Sequence, residues 1–172
     1  PTRTRTPTGV PQTEEWKYDD GVKDRGAIAT DPGYAMEVRF NAAERRQVLR
    51  LRYYVYHLGN PVRLYVRNAP GDLYSREVTP SVPGGEGWFD WDVSGDQIFV
   101  QGPFSVGFES RAGGGPALGR DETAPIDGYS YQGPLSGLQQ ITDADFMIRV
   151  IVSGRVSGST VYLPILLLRC YQ

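Results

Sequence analysis

Apolar and polar side chains alternate along much of this chain. Tyr34, Met36, Val38 and Phe40 alternate with Ala35, Glu37 and Arg39, the period of two that belongs to a strand with one wet face. Leu49, Leu51, Tyr53 and Val55 alternate in the same way with Arg50, Arg52, Tyr54 and Tyr56, and Val62, Leu64 and Val66 with Arg63, Tyr65 and Arg67. The NAPGD run at 68–72 then predicts a tight turn into a strand over 73–78, forming a hairpin. Further strands are expected over 87–93, 97–100, 105–109 and 146–153, with a long connection over 111–142. No stretch carries a helical period of useful length.

The ends depart from this pattern. Residues 161–168, VYLPILLL, carry no charge, and eight apolar residues fall short of the roughly 20 that a helix needs to cross a bilayer. Membrane insertion is therefore not expected, and the stretch reads as a strand buried on both faces. Leaving its aliphatic side chains in water would forgo on the order of 1.5 to 3 kcal/mol each. Pro164 removes a ladder donor, which confines such a strand to an edge or a bulge. The preceding SGRVSGS connector allows it to fold back or to leave its own domain. Insertion into a neighbouring copy would be strand addition in trans, a head-to-tail contact that builds rings or open fibres. Val161, Tyr162, Leu163, Pro164, Ile165, Leu166, Leu167 and Leu168 are then the expected subunit interface. At the other end, PTRTRTPTGVPQ has the composition of an extended stalk. Its Thr2, Thr4, Thr6 and Thr8 are candidates for O-glycosylation, since Asn41, Asn60 and Asn68 all lack a following sequon. The expected organisation is a tail over 1–13, a β-sandwich over 14–153, and a connector with an apolar strand over 154–172.

Composition supports the strand pattern. With Gly 21, Pro 13 and Tyr 11 in 172 residues, the chain has the turns and half-buried positions of an all-β protein with a single domain. The expected fold is a jelly-roll-like antiparallel β-sandwich with an extended N-terminal tail and a C-terminal apolar strand. A net charge of −2 advertises no nucleic acid partner. The lone Cys170 cannot form an internal disulfide and reads as a small buried residue near a strand end. Neither an initiator methionine nor a signal peptide opens the sequence, as expected of a processed or partial product.

Candidate chemistry is sparse. His57 follows an alternating strand at a turn position, and no local motif brings it to Cys170. GYSYQG is not a nucleophile elbow, and zinc lacks ligands. Asp90 with Asp92, and Asp143 with Asp145, share strand faces as a glycosidase pair would, although aspartate at such positions commonly forms turns. No cofactor is expected, with calcium as the one ion that suits the loop carrying Asp121, Glu122 and Asp127, although the spacing matches no calcium motif. The strongest surface signal is a ribbon on the outward parity of two strands, Arg52, Tyr54 and Tyr56 with Arg63 and Tyr65, joined by Arg50 and Arg67. Phenol faces and guanidinium groups of this kind suit sugars or a packed protein partner, while cross-strand pairing for sheet stability uses the same residues. Trp88 and Trp91 point to opposite faces, so at most one joins a platform.

The order WKYDDG, GYAMEVRF, WFDWDV, FSVGFE, DETAPIDGYSY and DFMIRV resembles the β-sandwich modules attached to secreted bacterial and archaeal proteins, often peptidases. The resemblance spans roughly residues 15–152, and YLPILLLR with the Pro/Thr tract resembles the tail and linker of exported proteins. It implies a jelly-roll-like fold and an extracellular or cell-surface location, without implying an activity. The leading expectation is a non-enzymatic secreted protomer of an extracellular filament or pilus-like polymer, with copies of itself as partners through terminal strand or tail exchange. The alternative is a carbohydrate-binding accessory domain of a larger exported enzyme, with glycans as partners. A hydrolase using Asp90 or Asp92 is a third class.

Overall fold

The computed structural model describes residues 12–154 apart from positions 30, 58 and 70. The expected O-glycosylation sites Thr2 to Thr8 and the expected interface Val161 to Leu168 lie outside the described residues. Within them, twelve strands form an all-β antiparallel sandwich of jelly-roll-like build: β1 (Thr13–Trp16), β2 (Arg25–Ile28), β3 (Tyr34–Tyr56), β4 (Val62–Asn68), β5 (Gly71–Val78), β6 (Gly87–Asp92), β7 (Phe99–Ser110), β8 (Ala117–Asp121), β9 (Ser130–Pro134), β10 (Gln139–Gln140), β11 (Asp145–Phe146) and β12 (Ile148–Ser153). No α-helix occurs among the described residues, and none of their helices is long and apolar enough to cross a membrane.

One strand organises both layers. The first half of β3 pairs with β9 and β7, and the sheet continues through β4 to β5 with β10 beyond β9. The second half of β3 pairs with β12 and β6, and β1 extends this second sheet beyond β12. The end of β3 also meets β8, which carries β2 and β11. The pattern predicted two strands over 34–40 and 49–56, but the backbone runs through as a single 23-residue strand. Two irregularities make this possible. Residues 43–45 bulge between Ala42, opposite Gly102, and Arg46, opposite Val100. A single extra residue, Leu49, then separates Val48, opposite Val152, from Arg50, opposite Ile151. The two extra residues of the first keep the parity, whereas the single extra residue of the second reverses it for everything beyond. Met36, Val38, Phe40, Ala42 and Val48 therefore face the core from even positions, while Leu51, Tyr53 and Val55 face it from odd ones.

The segments expected over 97–100 and 105–109 are likewise one strand, β7. The expected long connection over 111–142 holds β8, β9 and β10. Its strands are short and lack a clean alternation, and β8 and β9 each carry a glycine, which hid them. Between the sheets lie Tyr53, Phe108, Phe146 and their aliphatic neighbours. The Tyr53 hydroxyl donates across the sandwich to the Gly107 carbonyl at 3.1 Å. Trp91 of β6 donates its indole N–H to the Tyr74 hydroxyl of β5 at 2.7 Å, stitching the two sheets near one edge. Trp91 is thus inward and Trp88 outward.

Candidate functional site

The outward face of the β9–β3–β7–β4–β5 sheet follows from register. Tyr131, Glu37, Gly107, Tyr65 and Ser75 form one cross-strand row, and Arg39, Ser105, Arg67 and Asp72 the next. Although Glu37 sits on the polar parity, it is 0% exposed. Its carboxylate accepts hydrogen bonds from Arg67 Nε at 2.8 Å, the Tyr65 hydroxyl at 3.1 Å, the Ser105 hydroxyl at 3.1 Å and Arg39 Nε at 3.3 Å. Four donors meet the desolvation cost of a buried charge. Burial, with the Glu37 charge beside it, pushes the Tyr65 hydroxyl well above its ordinary pKa, so it stays a donor. Burial works against the charge on Arg67, but the Glu37 hydrogen bond and charge, joined by Tyr65 and Asp72, together outweigh it and hold that pKa up.

Tyr65 reaches Glu37 because Gly107 lies beneath it. A Cβ at position 107 would stand 2.6 Å from the Tyr65 hydroxyl and 2.5 Å from the Met36 carbonyl. On the far side of Glu37, the Arg39 guanidinium rests 3.5 Å from the centre of the Tyr131 ring. A cleft of about 410 Å³ opens over this group, lined among others by Glu37, Arg39, Arg67, Asn68, Phe104 and Ser105. A second cleft of about 300 Å³ is lined by Trp16, Tyr18 and Phe40 with Glu15, Lys17 and Asn41. The two linings meet where Phe40 stacks on Phe104 at 5.7 Å, and the aromatic row continues through Tyr18 to the exposed Tyr129.

The expected Arg and Tyr ribbon does not form as one surface. Arg52, Tyr54 and Tyr56 belong to the half of β3 in the β12–β3–β6 sheet, whereas Arg63 and Tyr65 lie on β4 in the other sheet. The bends in β3 take its second half away from β4, which has β5 and β7 as neighbours. Each half is also committed locally. Arg63 bonds Glu109 at 2.6 Å and Asp72 at 2.7 Å, and Tyr65 is buried. Arg52 bonds Asp90 and Glu15, each at 2.6 Å. The Tyr54 hydroxyl donates to Glu86 at 3.0 Å. Tyr56 lies over Gly26, where a Cβ would meet its ring, with Lys23 4.5 Å above. Trp88 packs beneath the Arg149 guanidinium at 4.1 Å, and Arg149 is held by Asp19.

The remaining candidates are placed as follows. His57 sits in the left-handed region at φ 49 immediately after β3. Asp90 is engaged by Arg52, and Asp92 accepts from the Ser94 backbone and hydroxyl. Asp121 accepts backbone N–H groups from Asp20 at 2.6 Å and Thr123 at 2.9 Å. The Asp127 backbone donates to Asp145 at 3.0 Å. Among the described residues, no group of three or more histidine, cysteine or acidic side chains is arranged to hold a metal ion. Sequence reasoning passed over Glu37, Arg39, Asn68, Ser105 and Tyr131. An acidic residue on the wet parity reads as solvated, and only cross-strand neighbours reveal that it is buried.

Fold and site together define an all-β sandwich with a polar cleft on one outer sheet face. The chain is similar to the clostridial cysteine protease Cwp84 after propeptide cleavage, with a TM-score of 0.59 and 11% identity, covering 83% of this chain and 40% of that one. It is also similar to the cysteine protease and lectin-like domains of Cwp84, a surface layer associated protein of Clostridium difficile, with a TM-score of 0.52 and 12% identity, covering 71% of this chain and 32% of the other. The chain thus spans well under half the length of these structures. No protein-family model matches it, and no curated protein matches it.

Proposed function

We propose that this chain is a glycan-binding accessory domain of a larger exported, cell-surface protein. The observation that carries the reading is the cleft over Glu37, where a buried, fully bonded carboxylate fixes two arginines, one of them resting on the Tyr131 ring. Fixed polar groups converging in a cleft are what the hydroxyl edge of a sugar ring requires. The similarity to structures that include a lectin-like domain on a surface-layer protein supports the same class. So does the shape of the match, since most of this chain covers only 40% of the longer one. No catalytic step is assigned to it.

The filament reading draws on the apolar stretch at 161–168 and the Pro/Thr tract, both outside the described residues. The accessory-domain reading draws on residues that are described, and it takes precedence. Affinity electrophoresis of the full chain against a panel of soluble polysaccharides tests it, with size-exclusion chromatography alongside. Retarded migration of a monomer in at least one gel is expected. A folded protein that runs freely through every gel, or that elutes as a dissociation-resistant polymer, sinks the proposal.

A further inference from the structure

The two arginines of the cleft use only part of their donor sets. Among the described residues, the hydrogen bonds and ion pairs of Arg39 and Arg67 to Glu37 run through Nε. A guanidinium carries five N–H donors, so the two Nη groups of each remain directed elsewhere. The side chains keep 44% and 24% of their surface exposed. Glu37, which an incoming hydroxyl would otherwise use as an acceptor, is saturated by its four donors and fully buried. The cleft therefore offers a ligand guanidinium donors and positive charge, with Asn68 and Ser105 as the neutral side-chain acceptors among its described lining. A neutral sugar hydroxyl both donates and accepts, and it would use the donors of the two arginines without using their charge. A carboxylate or sulfate on a sugar accepts only, and it matches the planar fork of arginine.

We infer that the ligand is an acidic polysaccharide whose anionic group is clamped between Arg39 and Arg67, with Glu37 as the buried anchor that holds both guanidinium groups in place. This rests on the glycan-binding reading and narrows it to one chemical class. Of the neighbouring acids, Glu109 and Asp72 are bonded to Arg63, and Asp72, which also pairs with Arg67 across β4 and β5, offsets part of the charge at that position while Arg39 keeps its own. Nor is the attraction a property of the whole surface. The chain is net negative at −2 with a pI near 5.4, which disfavours unspecific adhesion to polyanions.

The test is affinity electrophoresis of the full chain in gels carrying matched pairs: polygalacturonate, alginate and hyaluronan, each against its carboxyl-reduced form, and dextran sulfate against dextran. Binding to a charged member at least tenfold tighter than to its neutral partner is expected. The carboxylate and sulfate arms identify which anion the clamp takes. Arg39→Gln, at the more exposed of the two positions, should abolish that preference while the protein keeps a cooperative thermal transition, at a somewhat lower temperature because Glu37 loses one donor. Arg25→Gln, the same charge change far from the cleft, should leave it intact. Arg67→Lys keeps the charge at the second position and should retain part of the preference. Equal binding to both members of every pair overturns the acidic clamp and leaves the glycan reading standing. Binding to none overturns both, and an Arg39→Gln protein that still prefers the charged member overturns the clamp alone.

Discussion

Glu37 and Asp145 are both buried carboxylates, with opposite surroundings. Glu37 has four donors around it, whereas Asp145 accepts one backbone N–H from Asp127 at Oδ2 and, among the described residues, has no hydrogen-bond partner at Oδ1. Burial, and then the nearby charges of Asp127, Asp121 and Asp19, raise the Asp145 pKa against the lowering effect of that one bond. A folded-state pKa above the unfolded one means that the native protein holds its proton longer. Stability then falls as pH rises from the ordinary aspartate range through the raised value, and the full cost is present above it. Asp145→Asn should therefore raise the melting temperature at pH 7, with the gain vanishing near pH 3, below the ordinary aspartate value of about 3.9. A gain of equal size at both pH values would assign the effect to packing instead. At Gly107 the constraint is steric. Gly107→Ala puts a methyl group against the Met36 carbonyl and the Tyr65 hydroxyl, and it should cost about 1–3 kcal/mol in urea unfolding. It should also weaken polysaccharide binding, because Tyr65 is lifted from Glu37.

Among the elements, β3 decides most of the architecture. Its alternation was legible on both sides of the bend, but the two halves have opposite core parity, and the single residue that reconciles them is Leu49. Deleting Leu49 forces one half to present its apolar side chains to water. Loss of the cooperative thermal transition in near-ultraviolet circular dichroism is the expected outcome. Leu49→Ala retains the extra residue and should cost no more than about 2–3 kcal/mol with the transition preserved. An intact transition in the deletion variant would mean that the bulge can migrate. The strands β8, β9 and β10 were illegible for a related reason. They take their place from neighbours, β8 from β2 and β11 and β9 from β3, and short glycine-bearing segments have little periodicity of their own to announce this.

At the scale of the whole molecule, two polar faces look outward in opposite directions and do different work. The face with Arg52, Trp88, Arg149 and Asp19 is an interlocked set of ion pairs and ring contacts, while the face over Glu37 holds the cleft. Arg52→Gln should cost about 0.2–1 kcal/mol for each exposed pair it breaks and leave polysaccharide binding within twofold of wild type. A tenfold loss of binding would place the site on the wrong face. The sequence by itself determined the class of fold, because alternation with β-branched and aromatic residues between glycine and proline turns leaves a strand few alternatives. It also determined which side chains are apolar enough to form the core, and that Trp88 and Trp91 must part company. Only the tertiary structure decided that β3 crosses from one sheet to the other, and hence that Tyr54 and Tyr65 stand on opposite sides of the molecule. It alone buried Glu37 between Arg39 and Arg67. Parity within a strand is a local property of the backbone, whereas the pairing of distant strands depends on which non-local contacts close the core, and a cleft exists only where those pairings bring its walls together.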